Sequence, residues 1–132
     1  MYKELIQFTT RGELDIVDIT EEVRSAVKRS GIKEGFALIF APHATGAIIL
    51  NENDPDLLED IREWLSHVVP PKGYRHPVNA RSHLRSILMT PSRVIPVIGG
   101  DLYLGTWQRI MWVEVDTRPR RREVLVLVFG ES

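Results

Sequence analysis

The chain has 132 residues, which is enough for one hydrophobic core and too few for two that fold independently. Hydrophobic residues make up 43% of it and charged residues 27%, a composition that is typical of a folded domain and excludes a disordered chain. Because 17 Lys and Arg residues are balanced by 18 Asp and Glu residues, the formal net charge is −1, and no overall field attracts nucleic acid or an anionic membrane.

The sequence contains no cysteine, which limits the kinds of catalytic and metal site that the chain can form. It removes thiolate nucleophiles, disulfides and Cys-ligated zinc, so any metal site must use His, Asp or Glu. The longest apolar runs, residues 36–41 and 124–129, are far shorter than a membrane span, and the first residues lack the apolar core of a secretion signal. We therefore expect a soluble, cytoplasmic protein with no membrane partner.

Apolar segments and turn residues predict the elements at the start of the chain. Residues 4–9 and 14–19 are predicted to be two strands of an N-terminal hairpin around Arg11 and Gly12. A helix is expected to begin at Thr20, where two acidic residues follow in the first turn, and to end before Gly31. The continuous apolar run 36–41 then predicts a buried strand.

Proline and capping residues mark the middle of the chain. A polar loop at residues 42–46 leads into a second buried strand at 47–50. Asp54 followed by Pro55 predicts the cap and first residue of a helix, which Pro70 must stop. Asn79 is predicted to cap a third, shorter helix that ends before Pro91.

After Pro91 the pattern changes to strands, at residues 93–97, 102–104, 107–115 and 123–129. Strands at both ends of the chain, with about three helices between them, argue against a strict alternation of strand and helix. We predict one α+β domain over residues 1–132, built on a mixed or antiparallel β-sandwich.

Three of the four histidines, His43, His76 and His83, lie in or beside predicted loops, where functional side chains are concentrated. Neutral imidazoles from three segments would hold a divalent cation, zinc or magnesium, and leave one coordination position open. No His-x-x-x-His spacing enforces this, so surface or capping roles are the alternative. His67, near the end of the second helix, is predicted to be structural or solvent-facing.

Two carboxylates are further candidates. Asn51 and Glu52 follow a buried strand and are not required by the cap that Asp54 provides, so Glu52 is a candidate ligand or general base. Glu114 shares a predicted strand face with Gln108 and interrupts an otherwise apolar strand. Because burying an unpaired carboxylate is costly, Glu114 is either the partner of a cross-strand arginine or part of the site.

Four arginines, at positions 118, 120, 121 and 122, crowd between the last two predicted strands. Planar guanidinium groups match phosphate oxygens, which makes Arg120 and Arg121 candidates to hold a phosphate or diphosphate. The alternative is a solvated turn that protects the neighbouring strands from aggregation. No interleaved aromatics or RNA-binding motif accompany the arginines, and no nucleic-acid partner is expected.

Several segments occur together in a recognisable order. They are a histidine loop before Ala47-Ile-Ile-Leu-Asn-Glu-Asn-Asp54, followed by Tyr74-Arg-His76, Ser82-His83-Leu84, Leu104-Gly-Thr-Trp-Gln108 and Phe129-Gly-Glu131. In this order they resemble the YjbQ-like family, also called the secondary thiamine-phosphate synthase family. The resemblance implies a small α+β protein built around a β-sandwich, which forms homotrimers with sites near the subunit boundaries.

The resemblance also implies an activity and a site. The family looks like one with a weak ability to join hydroxymethylpyrimidine diphosphate to thiazole phosphate, which makes a small phosphorylated metabolite the expected partner. His43, His76 and His83 match its recurring histidines, the implied metal ligands. The residues expected to orient ligands or move protons are Glu52, Gln108 and Glu114. The residues expected to contact the bound ligand are Asn51, Trp107, Arg120 and Arg121.

This chain differs from the family pattern at a few positions. Ala44 stands where a hydroxyl residue is usual, Thr90 and Arg109 stand where glycine is common, and the loop between His76 and His83 is short. These differences bear on the choice of substrate. Two alternatives therefore stay open: a metal-dependent hydrolase of a small phosphorylated or ester metabolite, and a non-catalytic trimer that binds a metabolite or metal.

Overall fold

The computed structural model describes all residues from 1 to 132 and shows two antiparallel sheets with three helices. The larger sheet has the order β1-β8-β3-β5-β6, with β1 Tyr2–Thr9, β3 Glu34–Phe40, β5 Ser92–Ile98, β6 Asp101–Leu102 and β8 Arg121–Glu131. The smaller sheet has the order β2-β7-β4, with β2 Ile16–Asp18, β4 Gly46–Asn51 and β7 Arg109–Glu114. The helices are α1 Thr20–Ser30, α2 Pro55–Val68 and α3 Ala80–Met89. The predicted α+β class is confirmed.

The main core lies between the two sheets and α1. It includes alternate residues of β8, such as Val126, together with Val23 of α1 and Trp112 of the smaller sheet. A second, smaller core lies on the opposite face of the smaller sheet, where Leu65 of α2 and Val113 of β7 are buried. Because successive side chains of a strand alternate between faces, Trp112 and Val113 serve different cores, as the sequence predicts.

The helix boundaries follow from local chemistry. Gly31 adopts the left-handed conformation, with φ of 71°, and ends α1. The side chain of Asp54 accepts a hydrogen bond from the amide of Leu57 at 2.9 Å and caps α2, with Pro55 in the first position. The side chain of Asn79 does not cap α3, although the helix begins at Ala80 as predicted, because its amide oxygen bonds to His76 instead.

The predicted N-terminal hairpin is wrong. β1 pairs with β8, and β2 pairs with β7 in the other sheet. The intervening segment crosses between the sheets, where the amide of Leu14 donates to the carbonyl of Glu114 at 2.7 Å. A turn signal such as Arg11-Gly12 predicts a change of direction, but the neighbour of each strand depends on which core its apolar side chains enter.

Candidate functional site

His43 lies just beyond the end of β3, next to residues of β8 that extend past that end. The last paired residue of β3, Phe40, lies opposite Leu125. Beyond it, Nε2 of His43 is 3.0 Å from the carbonyl oxygen of Glu123 and 3.2 Å from its amide nitrogen. The imidazole edge also packs against Trp112, with ring centroids 5.6 Å apart. The main chain of β8 therefore fixes the position of the ring.

This position keeps the His43 ring neutral and suits either of its tautomers. Burial lowers the pKa of His43 below its usual value of 6.5, so the ring is neutral at pH 7. If Nε2 carries the proton, it donates to the Glu123 carbonyl and leaves a lone pair on Nδ1. If Nδ1 carries the proton, Nε2 accepts from the Glu123 amide. Both tautomers are satisfied, and Nδ1 can accept or donate a hydrogen bond.

His76 and His83 form a pair at the start of α3. Their ring centroids are 4.9 Å apart, with the rings nearly perpendicular. Nε2 of His76 is 3.1 Å from Oδ1 of Asn79, which orients the ring. His83 also lines a cavity of about 280 Å³ together with His43 and Ser86. The structure thus brings all three predicted histidines to the same end of the sandwich.

Although the three histidines lie at the same end, their side chains are not arranged as the ligands of one metal ion. The chain contains no group of three or more His, Cys, Asp or Glu side chains arranged to hold a metal ion. Nε2 of His43 is already held by the main chain, and Nε2 of His76 is held by Asn79. Within one chain the three histidines do not fit a metal centre, and the three-histidine ligand set stays a prediction.

The predicted arginine cluster divides into buried and free groups. The Arg122 side chain is buried and forms two hydrogen bonds to Glu114, of 2.7 and 2.5 Å, and two to Thr45. Nε of Arg120 donates to the buried carboxylate of Asp116 at 2.7 Å. Arg121, by contrast, is exposed and forms no ion pair within the chain. Of the two predicted ligand-binding arginines, Arg121 is the one left free for a ligand.

Glu114 is the arginine partner that one of the two interpretations of the sequence proposes. It is completely buried, and its carboxylate also accepts hydrogen bonds from the Thr10 hydroxyl and the Asp116 amide, at 3.0 Å each. For Asp116, burial alone would raise the pKa, but hydrogen bonds from the Thr117 amide and Arg120 lower it below its usual value. The carboxylates of Glu114 and Asp116 thus fix the neighbouring guanidinium groups.

A groove of about 570 Å³ runs beside His43. Its lining residues are Gln7, Phe8, Thr9, His43, Arg121, Arg122 and Glu123. His43 lines both this groove and the smaller cavity that contains His83. A neutral imidazole and an unpaired guanidinium in one groove suit a ligand with a phosphate group.

The remaining predicted site residues lie at the other end of the smaller sheet. β4 and β7 pair Gly46 with Glu114 at the histidine end and Asn51 with Arg109 at the far end. Five residues of strand separate these ends by about 17 Å. Asn51 and Glu52 therefore do not lie beside His43 within one chain.

Trp107 and Gln108 also belong to this far end and lie in a turn before β7, not on the predicted strand. The side-chain oxygen of Gln108 accepts a hydrogen bond from the Gly105 amide at 2.8 Å. The backbone amide of Gln108 donates to the Gly105 carbonyl at 3.0 Å, so Gln108 closes the turn with both its side chain and its main chain. Trp107 is 70% exposed at the tip.

Several residues outside the predicted site hold the histidine end of the sandwich together. Thr45 contacts both Arg122 and Asp116, and Asn79 orients His76. The hydroxyl of Ser86 donates to the Gly46 carbonyl at 2.8 Å. Short polar residues of this kind are common at turns and caps, and only the fold shows that these converge.

An α+β chain with two antiparallel sheets, three helices and a histidine-lined groove at one end defines the class of the protein. Comparison with known proteins extends this from fold to family. The model of the family described as UPF0047 protein YjbQ-like matches residues 4–131. The chain belongs to this family, which confirms the resemblance found in the sequence.

Individual relatives match the chain over most of their own length. The chain is 39% identical to a UPF0047 protein of Methanothermobacter thermautotrophicus, with 99% of this chain and 94% of the relative covered. It is 43% identical to a UPF0047 protein of Archaeoglobus fulgidus, with 89% and 93% covered. A YbjQ-like protein of Sulfolobus solfataricus P2 has a crystal structure similar to this one, with a TM-score of 0.95 and 38% identity over 98% of this chain and 97% of that chain.

Proposed function

We propose that the protein binds a small phosphorylated metabolite in the groove beside His43 and transfers a group with loss of diphosphate. The supporting observation is that His43, a neutral imidazole, lines two cavities, one of which is also lined by the unpaired guanidinium of Arg121. No helix of the chain has both the length and the apolar character that a membrane span requires.

The family resemblance supplies the reaction within this proposal, thiamine-phosphate formation as a secondary activity. The ring nitrogen of thiazole phosphate attacks the methylene carbon of hydroxymethylpyrimidine diphosphate, and the bond from that carbon to the diphosphate oxygen breaks. The electron pair leaves with the diphosphate, whose developing charge a guanidinium stabilises. Arg121 is placed to do this, and Nδ1 of His43 offers one hydrogen bond to a reactant.

The two cavities that His43 lines support a reaction with two substrates. The larger groove contains Arg121 and suits the diphosphate donor, while the smaller cavity with His83 suits the acceptor. Holding both reactants beside one imidazole reduces the entropic part of the barrier.

The test compares two arginines that differ in one respect. Arg121, at the start of β8, lines the groove, whereas Arg118 is exposed on the loop before β8 and does not line it. We expect Arg121→Ala to weaken inorganic pyrophosphate binding by about tenfold or more, the usual loss for a charge-assisted hydrogen bond, and Arg118→Ala to leave it unchanged. Isothermal titration calorimetry measures both.

Incubation of wild type and His43→Ala with both thiamine precursors then separates catalysis from binding. Thiamine phosphate formed by wild type above the rate of His43→Ala supports the transferase. Release of inorganic phosphate or an alcohol from a single substrate would favour a hydrolase instead. Pyrophosphate binding that requires Arg121, without turnover of any substrate, would make the protein a non-catalytic binder.

A further inference from the structure

A second groove lies along the free edge of β4, the outermost strand of the smaller sheet. Its volume is about 390 Å³, which is within the usual range of small-ligand sites. The walls come from β4, from the helices α2 and α3, and from the start of β5. We name it the edge groove and define it by five of its lining residues: Leu50, Ile61, Trp64, Leu88 and Arg93.

Arg93 brings an uncompensated positive charge to the edge groove. Its Nε donates to the Ile48 carbonyl at 2.8 Å, and its Nη2 donates to the Met89 carbonyl at 2.6 Å. Both acceptors are neutral, and neither a carboxylate nor any partner of Nη1 is found in the chain. A half-buried guanidinium that carbonyl groups hold in place but do not neutralise favours an anionic ligand.

The main chain of β4 adds a free donor to the same groove. The Ile48 amide donates to the Thr90 carbonyl at 3.3 Å, outside the sheet, so the ladder with β7 is formed by residues 47, 49 and 51. Because the direction of main-chain hydrogen bonding alternates along a strand, the amide and carbonyl of Leu50 also point away from β7. No hydrogen bond outside the sheet ladders reaches either group, so the Leu50 amide is available to a ligand.

The corner between α3 and β5, which borders the edge groove, is strained. Thr90 lines the groove with φ of 77° and ψ of 152°, a combination that residues with a side chain rarely adopt. Its amide donates to the Ser86 carbonyl at 3.0 Å, and its carbonyl accepts from Ile48, so hydrogen bonds on both sides hold it. Strained backbone of this kind concentrates at ligand sites, where it keeps the binding groups in a fixed geometry.

We propose that the edge groove binds a small carboxylic acid with an apolar body. Nη1 of Arg93 and the Leu50 amide are the donors for the carboxylate, and the apolar body lies against Ile61, Trp64 and Leu88. A carboxylate suits the groove because one guanidinium supplies a single positive charge, while an apolar wall penalises a more highly charged group. The edge groove shares no residue with the groove beside His43, so this inference is independent of the proposed function.

Isothermal titration calorimetry of the full chain tests the class of ligand. The probes are straight-chain acids from butanoate to decanoate and phenylbutanoate, each compared with the alcohol of the same carbon skeleton. We expect at least one acid to bind with a Kd below about 1 mM and its alcohol to bind about tenfold more weakly, the usual effect of a charge-assisted hydrogen bond. Absence of binding by every acid, or equal binding of acid and alcohol, would overturn the proposal.

The variant Arg93→Gln tests the assigned cation. Gln keeps a donor for a carbonyl acceptor but carries no charge, so the acid should lose its advantage over the alcohol while the alcohol still binds. An unchanged preference for the acid would show that Arg93 does not hold the carboxylate.

A second pair of variants leaves Arg93 intact and so keeps its contacts with β4 and α3. Leu88 and Leu84 lie one turn apart on α3 and are 44% and 41% exposed, but only Leu88 lines the edge groove. We expect Leu88→Glu to weaken binding of the acid by about tenfold or more, because a second carboxylate in the groove repels the ligand, and Leu84→Glu to leave it unchanged. Equal effects of the two substitutions would place the acid elsewhere on the chain.

Sedimentation velocity of the same variants distinguishes another occupant. If wild type binds no acid and Leu88→Glu, but not Leu84→Glu, dissociates an oligomer, a second copy of the chain covers the edge groove and the proposal is wrong.

Discussion

At the scale of the residue, the surroundings of His43 lower the pKa of its imidazole and hold the ring in place. The amide and the carbonyl of Glu123 both approach Nε2, so the neutral ring is satisfied in either tautomer. A protonated ring could use only the carbonyl and would place a charge beside the amide and the buried Arg122. Burial is the main cause of the lowered pKa, and the charge of Arg122 adds to it.

The lowered pKa of His43 predicts a dependence of stability on pH. The unfolded chain binds a proton near the usual value of 6.5, whereas the folded chain resists protonation to lower pH. The contribution of His43 to stability is therefore complete above pH 6.5 and is lost as the pH falls below it. We expect urea unfolding to give a wild-type free energy that declines between pH 7 and 5, and His43→Gln to decline less steeply.

The control for this experiment removes a different imidazole. His67 is exposed on α2, far from the strand edge that His43 occupies, and His67→Gln tests the loss of one histidine as such. If His43→Gln follows the wild-type curve in parallel over the whole range, burial of this imidazole does not contribute to acid sensitivity.

At the scale of the element, the pair of Glu114 and Arg122 links β7 of the smaller sheet to β8 of the larger sheet. Both side chains are buried, so removing one partner leaves the other charge without compensation. We expect Glu114→Gln to lower the free energy of unfolding by about 3 kcal/mol, since loss of one partner of a buried pair usually costs 3–5 kcal/mol and Gln keeps some hydrogen bonds. Urea denaturation measures the change.

An exposed pair provides the comparison. Glu59 and Arg62 are three residues apart on α2, with Nη1 of Arg62 3.2 Å from the carboxylate. Because water screens such pairs, Glu59→Gln should cost less than about 0.5 kcal/mol. A cost for Glu114→Gln as small as that for Glu59→Gln would mean that water reaches the buried pair.

The elements also show what a sequence can predict. Gly31, Asp54 and Pro55 act within one turn of the chain, so the ends of α1 and the start of α2 follow from local chemistry. The partner of β1 does not, because its register with β8 depends on residues more than a hundred positions away. The predicted hairpin failed for this reason.

At the scale of the whole molecule, the same limit applies to the candidate site, because its residues are far apart along the chain. Family resemblance selected three histidines that the fold does bring to one end, yet it also selected Asn51 and Trp107, which belong to the other end. The spacing of residues along a chain carries no measure of distance across two sheets.

The stability of the whole molecule is expected not to depend on a bound metal ion. The two cores are apolar and closed without any ion, and no three-ligand group exists in the chain. A ligand that binds only the folded state raises stability in proportion to the logarithm of its concentration over its Kd, so a tightly held ion would raise the Tm measurably. We expect EDTA to change the Tm of untagged protein by less than about 2 °C, which corresponds to well under 1 kcal/mol for a domain of this size.

Elemental analysis of the same untagged protein completes this test. The family resemblance implies that His43, His76 and His83 together hold zinc or magnesium. If the adjacent pair, His76 and His83, retains such an ion in this chain, His83→Ala should lower the metal content and His67→Ala should not. The expected retention is weak and removable by EDTA, because two imidazoles 4.9 Å apart supply at most two ligands. A fall in Tm of several degrees with EDTA, together with one metal ion per chain lost in His83→Ala, would instead show that the assembled protein completes a true metal centre.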